Sequence, residues 1–315
     1  MDPTTFPSSS NGISGNAGGP GRIHPAHVLC LYVVLVFVGG ALLAPWLFWF
    51  VSGCVPDLAQ KPFHRYVNRS ILTLALLGLW PFLRLLGTRS LHDLGIVPWT
   101  GQWKRLAVGF AVGFASMAFL AAMALGFGAR GWNPQVSVLK ILEIVAAAAG
   151  VALIEEILFR GALFGALRRV WNWASALALT SVIYALVHFL ERAHLTGEVR
   201  WNSGLVLLPQ MLSGLGNMDA LIPGLINLVL VGAILALAFQ RTRTLWFSIG
   251  LHAGWVFWLK GWNSLSIATT GNTRLWGTGK LYDGWMTLPV LVAVLAIVWF
   301  LLPNHAGSHP ETERG

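Results

Sequence analysis

Charge is what this sequence has least of: Asp, Glu, Lys and Arg make up 10% of its 315 residues, where a soluble globular domain carries roughly 25%. That scarcity excludes a water-facing surface over most of the chain. Cysteine is also rare. Cys30 and Cys54 sit at opposite ends of the first apolar run, too far apart along a helix to pair with each other, so neither a disulfide framework nor a redox compartment follows. The HExxH zinc pattern is missing. No internal repeat occurs, and the connections are mostly too short to hold a soluble domain. The first apolar run lacks the basic flank and cleavage site of a signal peptide, so it reads as a retained first helix.

What the chain does have is apolar length. Hydrophobic residues make up 56% of it, and its mean hydropathy is +0.66. Apolar runs cover Val28 to Val51, Leu72 to Leu86, Leu106 to Phe127, Ala174 to Leu190, Leu221 to Phe239, Leu245 to Leu259 and Met286 to Leu302, with a weaker one at Val138 to Phe159. Each approaches the ~20 residues that cross ~30 Å of hydrocarbon. The expected fold is all-α: a polytopic membrane bundle of about eight transmembrane helices, with both termini on one side. Residues 1–27, rich in Ser, Gly, Asn and Pro, read as a disordered tail. The span 28–302 reads as one membrane domain, and 303–315 as a second disordered tail. The connection from Glu191 to Asn217 contains the apolar stretch Leu205 to Leu212, which reads as an interfacial helix or partial lid.

The net charge of +9 does not point to nucleic acid, because the basic residues are scattered among the connections; anionic lipid headgroups are the partners it fits. With the N-terminus inside, the inner segments hold Arg22, Arg84, Arg89, Lys104, Arg105, Arg160, Arg168, Arg169, Arg241, Arg243 and Arg314 of the 21 Lys and Arg. The turns around Arg168 and Arg241 have no acidic neighbours. That favours cytoplasmic termini. Trp residues near the span ends, such as Trp46, Trp99, Trp132 and Trp201, form the expected interfacial belt.

Ionised groups in hydrocarbon must be paired, neutralised or wetted. Glu156 and Arg160 are i and i+4, so they share a helix face in the favourable order. Glu155 is rotated ~100° away and is left without that partner. A short connection at Val170 to Asn172 makes this segment and the next an antiparallel hairpin. Glu155 lies 14 residues before Arg169 and His188 lies 15 after Trp173, so both stand ~21 to 22 Å from the turn. A carboxylate and an imidazole thus share one depth. Tyr184, one turn before His188, shares its face. Asn227 stands 14 residues before Arg241, again ~21 Å deep, as a site residue or as interhelical glue. His252, only 9 residues after Arg243, falls short at ~14 Å unless its helix starts deeper or tilts.

Two chemistries fit this set. In one, Glu155 and His188 deprotonate a water that attacks a carbonyl carbon, while His252 and Asn227 donate to the oxyanion. In the other, Glu155, His188 and His252 ligate zinc. A transporter or scaffold would use the same residues to line a path or join helices.

Glu155-Glu156-x-x-x-Arg160, Tyr184-x-x-x-His188 and the run Ser248 to Trp255 around His252 resemble the CPBP family, which comprises type II CAAX prenyl proteases and bacteriocin-processing or self-immunity (ABI) membrane proteins. The resemblance covers about residues 140–262, the expected catalytic core. It implies a glutamate-dependent intramembrane endopeptidase acting on a membrane-associated peptide or small protein. In it, Glu155 and His188 activate water, His252 helps to form the oxyanion hole, Asn227 shares that role, and Glu156, Arg160 and Tyr184 give structural support. It calls for neither a metal nor another cofactor. A polar residue often follows the last His by four positions in this family; here that position is Val256. The short loops look bacterial, which implies the inner membrane.

Overall fold

The computed structural model describes residues 25–55, 60–169, 171–189, 195–211, 218–269 and 271–303. The two expected tails therefore lie almost wholly outside the described residues, as do both ends of the 191–217 connection. The described α-helices longer than four residues, the ones labelled here, are α1 (Pro25–Cys54), α2 (His64–Leu85), α3 (Trp103–Gly126), α4 (Val138–Glu156), α5 (Trp173–His188), α6 (Ser203–Met211), α7 (Met218–Thr242), α8 (Trp246–Leu265) and α9 (Thr287–Leu301). A π-helical segment, Ile157–Phe164, continues α4. The strands β1 (Arg130–Trp132) and β2 (Ser266–Ala268) pair antiparallel, joining the ends of α3 and α8.

All of these longer helices except α6 coincide with the eight apolar runs. Among the described residues, four are long and apolar enough to cross a membrane: His27–Cys54, His64–Leu85, Trp103–Gly126 and Leu221–Thr242. Trp173–His188 and Thr287–Leu301 are apolar but shorter, while α4 and α8 carry the charged and imidazole side chains discussed below. The outward faces are greasy: Phe50, Leu77 and Phe300 are 69%, 69% and 84% exposed. In water such faces would be costly, so the solvent they suit is lipid. The fold is an all-α membrane bundle.

Two caps begin the hairpin that carries the glutamates. Ser137 Oγ accepts from Lys140 N at 3.2 Å at the start of α4, and Asn172 Oδ1 accepts from Ser175 N at 2.9 Å at the start of α5. Each satisfies an N–H that the first helical turn leaves unpaired. The expected uninterrupted α-helix through Arg169 is not what forms. The π segment widens the winding immediately after Glu156, a distortion that recurs at functional sites.

The helix carrying His252 is held by close backbone packing. Gly109 and Gly113 of α3 face Gly250 and Gly254 of α8. A Cβ at Gly113 would lie 2.1 Å from Leu251 O, and one at Gly250 would lie 2.1 Å from Leu106 O. Small residues four apart on both helices let the backbones touch. Gly113→Ala is therefore expected to destabilise the bundle by about 1 to 3 kcal/mol through overpacking, read as a lower melting temperature in detergent. Gly150→Ala, where a Cβ meets nothing within 4 Å, is the matched control and should leave stability equal or slightly higher.

The loop between α2 and α3 sets where α8 begins. Gly95 sits at φ 79° and its oxygen accepts from Leu245 N at 3.0 Å, while Trp246 Nε1 donates to Val97 O at 3.0 Å. A side chain at Gly95 would strike the Phe239 ring at 2.3 Å, so only glycine fits. Asp93 braces this loop by accepting from the Arg89 and Ser90 backbone N–H groups at 2.8 and 3.0 Å, which holds its carboxyl below the usual carboxylate range.

The α6 helix lies in the connection expected to form an interfacial helix or partial lid. It buries Leu207 and Met211 against Ala44, Phe63, Tyr66 and Val67. Gly204 lies so close to α1 that a Cβ would meet Ala41 O at 1.9 Å. The helix is packed into the bundle because its apolar face found α1 and α2.

Candidate active site

The last turn of α4 sends its two carboxylates in different directions, as the ~100° step between successive residues requires. Glu156 points inward and is fully buried. Its Oε1 lies 2.9 Å from Arg160 Nη1 and 2.8 Å from His252 Nδ1. The Arg160 guanidinium, itself buried, stands over the Tyr184 ring at 4.4 Å from the centroid. A charge buried this deeply persists only when paired and hydrogen-bonded. Here one carboxylate balances a guanidinium and also orients an imidazole.

Glu155 points instead into a cavity of about 940 Å³ whose walls include Tyr184, His188, His252 and Val256. Its Oε2 lies 3.8 Å from His188 Nε2 and 3.7 Å from His252 Nε2. These separations are too long for direct hydrogen bonds, and they suit a bridging water. That oxygen has no hydrogen-bond partner among the described residues. His188 Nδ1 donates to Tyr184 O at 2.7 Å, so a neutral ring presents a bare Nε2 toward Glu155. Tyr184 Oη lies 3.4 Å from His252 Nε2. The three groups come from α4, α5 and α8, and the hairpin of α4 and α5 brings the first two to one level.

His252 reaches this level despite its shorter rise from Arg243, its Nε2 lying 3.7 Å from Glu155 Oε2. In the turn before α8, Thr242, Thr244 and Leu245 are buried and Arg243 is exposed.

Asn227 corrects the expected oxyanion role. Its Nδ2 donates to Tyr282 O at 2.8 Å and to Gly284 O at 2.9 Å, so both amide N–H bonds are committed to the 277–286 loop. The residue pins that loop to α7. Asn227→Ala should cost about 1 to 3 kcal/mol by orphaning two buried carbonyls, read as a lower melting temperature with faster hydrogen exchange across the loop. A donor to the oxyanion would behave oppositely, losing about 10² to 10³ in kcat at unchanged stability.

Residues that sequence reasoning did not single out complete the walls. Tyr282, Asp283 and Lys280 enter from the 277–286 loop, and Lys260 from α8. Their apolar or polar neighbours in sequence give no sign that they face one cavity. Burial, with Asp283 beside it, pushes the Tyr282 phenol up to about 12, so this group stays protonated at neutral pH. Val256 is buried on the cavity wall one turn beyond His252 and offers no donor there. Among the described residues no group of three His, Cys, Asp or Glu has metal-holding geometry.

Residues 137–258 match the family model of type II CAAX prenyl endopeptidase Rce1-like proteins. That family is one of membrane-embedded proteases, and the matched stretch runs from the α4 cap through both glutamates, Tyr184, His188, Asn227 and His252. No curated protein and no solved structure matches the chain.

Proposed function

We propose that this chain, which over residues 137–258 carries the sequence pattern of the Rce1-like CAAX endopeptidases, is a glutamate-dependent intramembrane endopeptidase cutting a membrane-associated peptide or small protein. The supporting observation is Glu155 Oε2, without a hydrogen-bond partner among the described residues, facing two imidazole Nε2 atoms at 3.7 and 3.8 Å across a large cavity. That gap fits one water. Donating its protons to Glu155 and to the bare Nε2 of His188, the water turns its oxygen lone pairs toward a bound peptide carbonyl.

In the reaction the water oxygen bonds to the carbonyl carbon as its proton passes to Glu155. The C=O π pair moves to oxygen, giving a tetrahedral oxyanion. The Tyr184 hydroxyl donates to it, beside the His252 ring that Glu156 holds through Nδ1. Glu155 then returns the proton to the leaving amine as the C–N bond breaks. Tyr184 thereby takes the place that Val256 leaves empty and that Asn227 cannot fill. The catalytic core is the stretch 140–262 within a single membrane domain of residues 28–302. Lipids surround it, and both termini face the cytoplasm.

Reconstituted protein in liposomes tests this reading. Peptide cleavage that requires Glu155 and His188 supports it, with metal content measured on the same preparation. Solute flux through those vesicles, insensitive to Glu155 and unaccompanied by cleavage, would overturn it in favour of a transporter.

A further inference from the structure

Three guanidinium groups gather where the turn between α4 and α5 meets the turn before α8. Arg168 is half-buried, and its guanidinium stands over the rings of Phe164 and Phe239, 5.7 and 4.9 Å from their centroids. Its Nη1 donates to Oε1 of the buried Gln240 at 2.9 Å, a neutral amide. Arg169 is exposed and donates to Thr88 Oγ1 at 3.3 Å and to Asp93 O at 3.1 Å. Arg243 is exposed as well, and none of the three forms an ion pair among the described residues.

Their convergence is built into the backbone. Arg243 N donates to Phe239 O at 2.8 Å, so Arg243 leaves the chain beside the residue on whose ring Arg168 lies. The loop that Arg169 holds is fastened at the same place, because Gly95 O accepts from Leu245 N at 3.0 Å. Arg243 also sits at φ 58°, a left-handed conformation that favours Gly or Asn, and such an outlier points to a use for the side chain. The cluster is costly to the chain by itself. Burial, with Arg243 and Arg169 nearby, pushes the Arg168 guanidinium down to about 10. Asp93 feels the charge of Arg169, yet its Oδ2 already accepts from the Arg89 and Ser90 N–H groups at 2.8 and 3.0 Å.

We infer that Arg168, Arg169 and Arg243 form a binding site for a phosphate group, supplied by the headgroup of an anionic phospholipid. A planar guanidinium stacked on rings keeps its donor edge free, and that fork matches phosphate oxygens. Trp171 and Trp173 follow Arg169 closely and Trp246 follows Arg243, the side chains that mark headgroup depth. The depth favours a lipid over a soluble phosphate ester, which would offer the same oxygens. The cluster lies ~21 Å from Glu155 by helical rise, so its occupancy is independent of the endopeptidase reading.

Full-length protein in detergent is titrated with dioctanoyl phosphatidylglycerol, dioctanoyl phosphatidylcholine and inorganic phosphate, and binding is read by isothermal titration calorimetry. Phosphatidylglycerol should bind at least about tenfold more tightly than phosphatidylcholine, whose choline cancels the phosphate charge, as expected when an anion meets several guanidiniums. Arg169→Gln with Arg243→Asn should weaken that binding about thirtyfold, at about fivefold for each basic residue near an anionic headgroup. Arg243→Asn alone suits the left-handed backbone; it should keep the melting temperature and still lose about fivefold. Arg84→Gln with Lys104→Gln is the control: it removes two exposed charges from the same end of the bundle, where they stand over Trp80 and Trp103, and should leave affinity within about twofold of wild type, because neither contacts the site. Phosphatidylglycerol binding without uptake of inorganic phosphate assigns the lipid headgroup, whereas equal affinity for both keeps the phosphate site and assigns a soluble ester. Equal losses in the arginine pair and the control pair would mean diffuse attraction to a basic face and overturn the site. So would equal affinity for the two lipids.

Discussion

Replacing Glu155 with Gln is expected to lower peptide cleavage by about 10²- to 10⁴-fold, the contribution of a positioned general base, without loss of the folded bundle. Gln keeps the size and shape of the side chain but cannot accept the proton of the attacking water. Stability should hold because Oε2 has no hydrogen-bond partner among the described residues and stands 3.7 to 3.8 Å from both imidazoles. The fold therefore gains little from that oxygen. Single-turnover cleavage in liposomes and thermal unfolding in detergent read the two halves of the expectation. Wild-type turnover by the variant would remove Glu155 from the mechanism; a collapsed melting temperature would mean that its role is structural.

The neighbouring carboxylate should behave in the opposite way. Glu156→Gln is expected to destabilise the protein by about 3 to 5 kcal/mol, the cost of stripping one partner from a buried ion pair. Arg160, 2% exposed by its side chain, would keep its charge with no counter-ion at 2.9 Å. His252 would also lose the carboxylate that fixes its Nδ1 at 2.8 Å. A second variant separates these effects. Glu156→Leu combined with Arg160→Met removes both charges, and apolar replacement of a whole buried pair is often neutral or stabilising. The double variant should recover much of the melting temperature while remaining inactive, because His252 is still unanchored. A double variant that is both stable and active would show that Glu156 does not position His252.

The pair of predictions turns on one step of helical rotation, which is readable in the sequence. Adjacent glutamates ~100° apart on a helix cannot share an environment, and only Glu156 has an Arg four residues on. Hairpin arithmetic likewise places Glu155 near His188, because a short turn fixes the register of two helices that follow it. The eight apolar runs were legible for the same kind of reason: the length of a span is set by the bilayer, not by neighbouring helices.

Other contacts had no local signal. Glu156 and His252 are 96 residues apart, and neither spacing nor composition links them. Their meeting depends on where α8 is held, which the Gly95 loop and the glycine seam with α3 decide. Asn227 had the right depth for a site residue, yet its amide turns to the carbonyls of the 277–286 loop, since buried backbone acceptors must be satisfied before a polar side chain is free for chemistry. The π winding after Glu156 was equally hidden, because nothing in the composition of Ile157–Phe164 separates π from α winding.

The sequence by itself thus determined the class of solvent, the number of apolar helices, and which glutamate is tied to an arginine, since each depends on periodicities that act within one segment. Only the tertiary structure decided that Glu156 also holds His252, that Asn227 braces a loop, and that Arg168, Arg169 and Arg243 gather in one place. Those relations arise where separate helices cross, and the crossing is set by backbone packing between glycines, which leaves no imprint on the spacing of the residues it brings together.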